Sequence, residues 1–137
     1  MPESVVHMNF VRNIVDYISI MPNVMPELIE SDLPEYSSRT TQALNQYYPD
    51  VYYQDNSTII IGEAKTDNDI SNPHTLAQLD AYIAHLSIFN FRRHIILSGS
   101  FYAFSELKNL IIRKKRKENI DNIDFHIIAP FHKPFVI

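Results

Sequence analysis

Cysteine is absent from the 137 residues of this chain. That excludes disulfides, thiolate zinc sites and a thiol nucleophile. Glycine is almost absent too. Gly62 and Gly99 are the only two, too few and too far apart for a dinucleotide fingerprint or a phosphate-cradling loop. The longest uncharged apolar stretch, around His94 to Ser105, falls well short of the ~20 residues that a membrane span requires. No membrane partner is expected. No basic segment followed by an apolar block stands near Met1, so no signal peptide is expected either, and the expected location is cytoplasmic. Basic residues are outnumbered, 12 Lys and Arg against 16 Asp and Glu, for a net charge of −4. Bulk electrostatic attraction to nucleic acid is therefore weak, although a local basic patch is compatible with the total. No repeat recurs at a fixed period.

What is present suffices for one domain spanning 1–137. A chain of this length buries roughly two-thirds of its unfolded surface on folding, and 45% of its residues are hydrophobic, enough to fill a core. Residues 3 to 20 read as a helix, with Phe10, Val11, Ile14, Val15 and Ile18 at helical spacing. Residues 21 to 41 hold Pro22, Pro26 and Pro34 and have no period. They read as an irregular connection with a short helical turn at 25–30. Tyr47 to Gln54 and Thr58 to Thr66 read as strands joined by the turn chemistry of Asp55-Asn56-Ser57. Asn72-Pro73 pairs a cap residue with proline at the first helical position and starts a helix running to about Ile88. Arg93 to Ser98 and Asp124 to Ala129 read as strands on either side of a helix over 101 to 118, with a further possible strand at 38 to 46. Strands alternating with helices point to an α/β sheet covered on both faces.

The residues that carry chemistry are Tyr48-Pro49-Asp50 and Gly62-Glu63-Ala64-Lys65. Side chains alternate along a strand, so Glu63 and Lys65 share a face with Ile59 and Ile61. A two-residue turn at Asn56-Ser57 sets Asp50 opposite Glu63, and any even-numbered turn puts Asp50, Glu63 and Lys65 on one side of the sheet. An odd turn would spoil this unless a bulge restored the parity. Two carboxylates in one place repel, and one has a raised pKa unless a cation lies between them. A hard divalent ion resolves the conflict, and Mg²⁺ is the usual one. The alternative is a surface hairpin in which Glu63 and Lys65 form a simple pair two residues apart.

On the following helix, His74, Gln78, Tyr82 and His85 fall within roughly 80° of arc. Leu76, Leu79, Ile83 and Leu86 form a separate apolar stripe, so the polar stripe reads as lying off the core-facing seam. It serves either a site or solvent. Glu3 and His7 lie one turn apart, in line with Val11, Ile14 and Ile18. They are candidate site residues. Otherwise Glu3 complements the helix N-terminus and His7 is a hydrogen-bonded histidine at the core's edge. Arg39 is either a bidentate phosphate contact or a surface arginine. The run Arg113 to Lys117 is the one dense basic patch, and it also occupies the last turns of a helix, where cations suit the dipole.

Proline-aspartate, a hairpin's length and then Glu-x-Lys resembles the PD-(D/E)XK nuclease superfamily, carried here by Pro49, Asp50, Glu63, Ala64 and Lys65. Gln78-Leu79-Asp80-Ala81-Tyr82 resembles the Q-x-x-x-Y element of several of its branches. The likeness covers about residues 3 to 100, with the strong motif content in 48–82. It implies a three-layer α/β/α restriction-endonuclease-like domain with a mixed central sheet of four to five strands. It implies a nuclease hydrolysing phosphodiester bonds, with DNA as the expected substrate. Asp50, Glu63 and the carbonyl of Ala64 would hold Mg²⁺, or Mn²⁺ as its substitute, with Glu3 as the family's extra acid and Asp16 and Glu35 as rivals for that role. Lys65 would serve the attacking water and the transition state. Gln78 would orient the substrate, with Tyr82, His74 and Arg39 as further contacts. The partner would be nucleic acid, engaged by a homodimer or within a larger complex. The alternative is a non-catalytic nucleic-acid- or protein-binding module on the same fold.

Overall fold

The computed structural model describes residues 4–137. Helix α1 spans Val5–Ser19, and the Ser4 side chain caps it by accepting the His7 N–H at 3.0 Å. Glu3, read as part of this helix, lies outside the described residues. Strand β1 is only Glu30–Ser31 and is flanked by two single-turn 3₁₀ helices, Pro26–Leu28 and Pro34–Tyr36. The hairpin is β2, Val51–Gln54, and β3, Thr58–Ala64. Helix α2 runs Pro73–Ser87, capped by Asn72, whose side chain accepts the Thr75 N–H at 2.8 Å. Strand β4 is Arg92–Ser98, α3 is Phe104–Glu118, β5 is Asp124–Ile128 and β6 is Phe135–Val136. Among the described residues, no helix is long and apolar enough to cross a membrane.

The six strands form one sheet in chain order. β1–β2, β2–β3 and β5–β6 pair antiparallel, and β3–β4 and β4–β5 pair parallel. Among the described residues the fold is thus a mixed α/β arrangement with three α-helices. Two crossovers in the same direction set α2 and α3 on one face. There Leu79, Leu86, Leu107 and Ile111 meet Ile59, Ile61, Ile95 and Phe125. On the other face α1 packs Val11, Ile14 and Ile18 against Val51, Ile60, Ala64 and Ile96. The central strands are buried on both sides, which explains their unbroken apolar runs.

Two expectations change. The sheet has six strands, not four or five, because two-residue strands at each edge are too short to leave a pattern in the sequence. The possible strand at 38 to 46 is not one. It shows only an isolated bridge, Leu44 to Tyr47, closing a tight turn with Asn45 and Gln46 at positive φ. That turn, and Pro49 with no N–H to donate, delay β2 until Val51.

Candidate active site

The hairpin register decides the site. Val51 pairs with Gly62, so Asp50, one step further out, stands opposite Glu63. The Asp55 N–H donates to the Thr58 carbonyl at 3.0 Å, which makes Asn56-Ser57 the two-residue turn. Asp50, Glu63 and Lys65 therefore gather where the carboxyl end of β3 meets the start of α2 and the first turn of α1. All three are buried, 5%, 5% and 7% exposed.

Each side chain is held by named partners. Asp50 Oδ2 accepts the Ala64 N–H at 2.8 Å, and Oδ1 faces His7 Nε2 at 3.3 Å. Glu63 Oε1 accepts the Tyr82 hydroxyl at 2.7 Å. Lys65 Nζ donates to Gln78 Oε1 at 2.5 Å. Gln78 and Tyr82 lie one turn apart on α2, so one helix face serves both the lysine and the glutamate.

The electrostatics follow from burial. Desolvation alone would raise the Asp50 carboxyl. Hydrogen bonds from His7, Glu63 and the Ala64 N–H, with the charge of His7, outweigh it and hold Asp50 below the ordinary value. Burial and then the Asp50 charge push Glu63 well above its ordinary value, and Lys65 and the Tyr82 hydroxyl only partly oppose this. Burial and mutual repulsion thus drive the two carboxyls apart, Asp50 the stronger acid and Glu63 the weaker. Tyr82 is raised as well, by burial first and the Glu63 charge second, so it remains a hydrogen-bond donor.

The sequence expectations divide. The structure gathers Asp50, Glu63, Ala64, Lys65, Gln78 and Tyr82. The polar stripe of α2 does not lie off the core: Tyr82 is wholly buried among Leu79 and Leu86, and Leu76 of the apolar stripe is exposed. The polar atoms of Gln78 and Tyr82 find partners inside, which permits their burial. His74, at the exposed start of α2, meets Tyr47 edge-on at 5.5 Å between ring centroids. Arg39 is not at the site. Its guanidinium donates to the carbonyls of Pro26 and Glu27 and lies over the Tyr36 ring, tying down the irregular segment. Glu35 is bound bidentately by Arg12, and Asp16 is exposed on α1. Glu3 lies outside the described residues. The basic run ends α3, and within it Lys114 is claimed by Asp80 and Glu118.

Asp32 is the residue that the sequence reading missed. It follows β1, its N–H donates to the Asp50 carbonyl at 3.1 Å, and its carboxylate joins His7 and Asp50 in a group whose ligand atoms lie within 4.8 Å of one another. Only the pairing of β1 with β2 brings it there, and a two-residue strand gives no periodic signal. A groove of about 600 Å³ lined by Met25, Leu28, Tyr52 and Asn56 lies at the turn end of the hairpin, away from this chemistry.

His7, Asp32 and Asp50 could hold a divalent cation. Cis ligands at roughly 2.1–2.2 Å from one ion stand about 3 Å apart, close to the 3.3 Å between His7 Nε2 and Asp50 Oδ1. The raised Glu63 carboxyl is the response of two buried carboxyls to each other, and a cation between them would lower it. No family model, no curated protein and no solved structure matches the chain.

Proposed function

We propose that this chain is a metal-dependent nuclease that hydrolyses phosphodiester bonds, with DNA as its substrate, on a three-layer α/β/α domain of the restriction-endonuclease-like type. The observation that carries this reading is the register that sets Asp50 opposite Glu63, with Lys65 two residues on along the same face. A surface hairpin has no reason to bury three charged groups and tie two of them to one helix.

Asp50, Glu63 and the carbonyl of Ala64 would hold Mg²⁺ or Mn²⁺, with His7 and Asp32 completing the donors. When bound, the ion lowers the pKa of its water and draws charge from the phosphate oxygens. Lys65 brings an ammonium to the charge that develops on the phosphoryl group, and Gln78 fixes its position. Tyr82 holds one Glu63 oxygen and leaves the other for the cation. The acidic total, −4, fits a chain that meets nucleic acid as a homodimer or inside a larger complex.

The test is cleavage of a panel of supercoiled and linear duplex, single strands, branched DNA and RNA. Each is incubated with Mg²⁺, Mn²⁺ or EDTA, beside Asp50→Asn and Lys65→Ala. Metal-dependent cutting lost in both variants supports the reading. Absence of cutting, together with equal Mn²⁺ binding by wild type and Asp50→Asn, overturns it.

A further inference from the structure

The loops that follow β4 and β5 leave the sheet at the same edge as the candidate site. The Lys65 N–H donates to the Ser98 carbonyl at 2.8 Å, and the Ser100 hydroxyl donates to Asp67 at 2.7 Å, so the loop after β4 abuts the end of β3. The Gly99 N–H donates to the Ile128 carbonyl at 3.2 Å and joins that loop to the one after β5. Together the two loops carry a group of aromatic rings.

His132 stacks on Phe104 at 4.1 Å and on Phe101 at 4.5 Å between centroids, and its Nε2 meets the Phe101 carbonyl at 3.1 Å. Around this stack two rings are left in solvent: Tyr102 is 85% exposed and Phe131 is 96% exposed. Phe131 also has φ 65°, the left-handed region that a residue with a bulky side chain seldom occupies. A lone exposed aromatic is ordinary. Two of them, on loops braced by a stack of three further rings and beside a candidate active site, are not explained by packing.

We propose that Tyr102 and Phe131 form a stacking platform for the unpaired bases of a nucleic-acid strand engaged at Asp50, Glu63 and Lys65. The inference rests on the nuclease reading of that site and narrows its substrate to strands with single-stranded character. The densest groups of cations lie elsewhere. The basic run Arg113 to Lys117 lies in the last turns of α3, which starts at the platform edge and runs away from it, and Arg92 and Arg93 open β4 at the opposite edge. Paired bases stay stacked inside a duplex, so exposed rings at this edge can meet only unpaired ones, and aromatic faces bind any unstacked base.

The chain has no tryptophan, so Phe131→Trp places a single reporter on the platform. Its fluorescence is titrated in EDTA with 12-nucleotide oligo-dT, oligo-U and a blunt hairpin duplex. Quenching by a single strand is expected, at least tenfold tighter than any effect of the duplex. Adding Tyr102→Ala should weaken it about tenfold, the scale of one lost base stack. The two single strands separate a DNA from an RNA source. No quenching, equal quenching by the duplex, or indifference to Tyr102→Ala overturns the proposal, and the first is what a protein-docking surface would give. Both positions are exposed, so misfolding does not confuse the result. Cleavage of a tailed duplex by wild type and Asp50→Asn in Mg²⁺ is read separately. Its failure removes the nuclease reading, while quenching in EDTA still reports the platform.

Discussion

Lys65 Nζ and Gln78 Oε1 meet at 2.5 Å, joining the residue just past β3 to the second turn of α2, and both side chains are buried. Gln78 fixes the ammonium, close enough for its charge to lower the Glu63 carboxyl. Lys65→Ala should lower the single-turnover cleavage rate about 10²- to 10³-fold and leave Mn²⁺ affinity unchanged. Gln78→Ala should lower it less, about tenfold, since it frees the ammonium without removing it. A Lys65→Met variant that cleaves like wild type would refute the electrostatic role.

The proton on Glu63 ties metal binding to pH. Burial and Asp50 raise its carboxyl, so the folded metal-free protein binds this proton more tightly than the unfolded chain does. The resulting stability is present below the unfolded value, ~4.3, and is lost as pH rises toward the folded value. Metal must displace the proton, so Mn²⁺ affinity should increase with pH. Glu63→Gln keeps an acceptor for Tyr82 and removes the conflict with Asp50. It should melt higher than wild type at pH 8 without metal, and it should not show the rise in Tm expected of wild type in excess Mg²⁺, about 2.7 kcal/mol of stabilisation at a hundredfold excess over Kd. Thermal melts with and without Mg²⁺ check both statements.

How much of this was legible in the sequence depended on how local each determinant is. Asn56-Ser57 set the hairpin register and Asn72-Pro73 set the start of α2, because a turn and a cap are written in two or three adjacent residues. The register placed Asp50, Glu63 and Lys65 on one side of the sheet, whereas Gln78 came in through the resemblance, on a stripe read as lying off the core. Asp32 was not legible, because β1 exists only through its pairing with β2. The segment 21–41 has no period because tertiary hydrogen bonds hold it: Arg39 to the Pro26 and Glu27 carbonyls, and the Met25 N–H to the Tyr53 hydroxyl at 3.0 Å. The inward turn of Tyr82 escaped the amphipathic reading because its partner, Glu63, lies 19 residues away.

A second titration lies under α1. The His126 ring is 7% exposed, accepts or donates to Tyr17 at 2.7 Å through Nδ1, and meets His94 Nδ1 at 2.9 Å through Nε2. Burial, reinforced by His94, lowers its pKa from 6.5 to about 4, against a smaller opposing pull from Asp124. The folded ring stays neutral while the unfolded one takes a proton. Its stabilisation is therefore complete above pH 6.5 and is lost as pH falls toward 4, a change of about 2 kcal/mol. His126→Gln should abolish that part of the acid dependence in urea unfolding at pH 7 and pH 4.5. An unchanged difference between the two pH values would show that the ring titrates normally.

At Gly62, Ile14 of α1 packs tightly on the strand that carries Glu63. A methyl group there would stand 2.6 Å from Ile14 Cγ2 and 3.1 Å from Val51 Cβ. Ile14 is fully buried and its neighbours are packed, so it has little room to yield. Gly62→Ala should destabilise by about 1–3 kcal/mol through overpacking. Ile14→Ala should cost about 2–5 kcal/mol through the cavity it leaves. In the double variant the new methyl enters that cavity, so the combined loss should fall short of additivity by about 1 kcal/mol. The same close approach brings the first turn of α1, and with it His7, to Asp50. Gly62→Ala should therefore weaken Mn²⁺ binding, and Ile14→Ala in the same chain should restore part of it. Urea denaturation and Mn²⁺ titration of the four proteins complete the cycle. Additive stabilities would mean that α1 shifts freely on the sheet and that the glycine does not set its position.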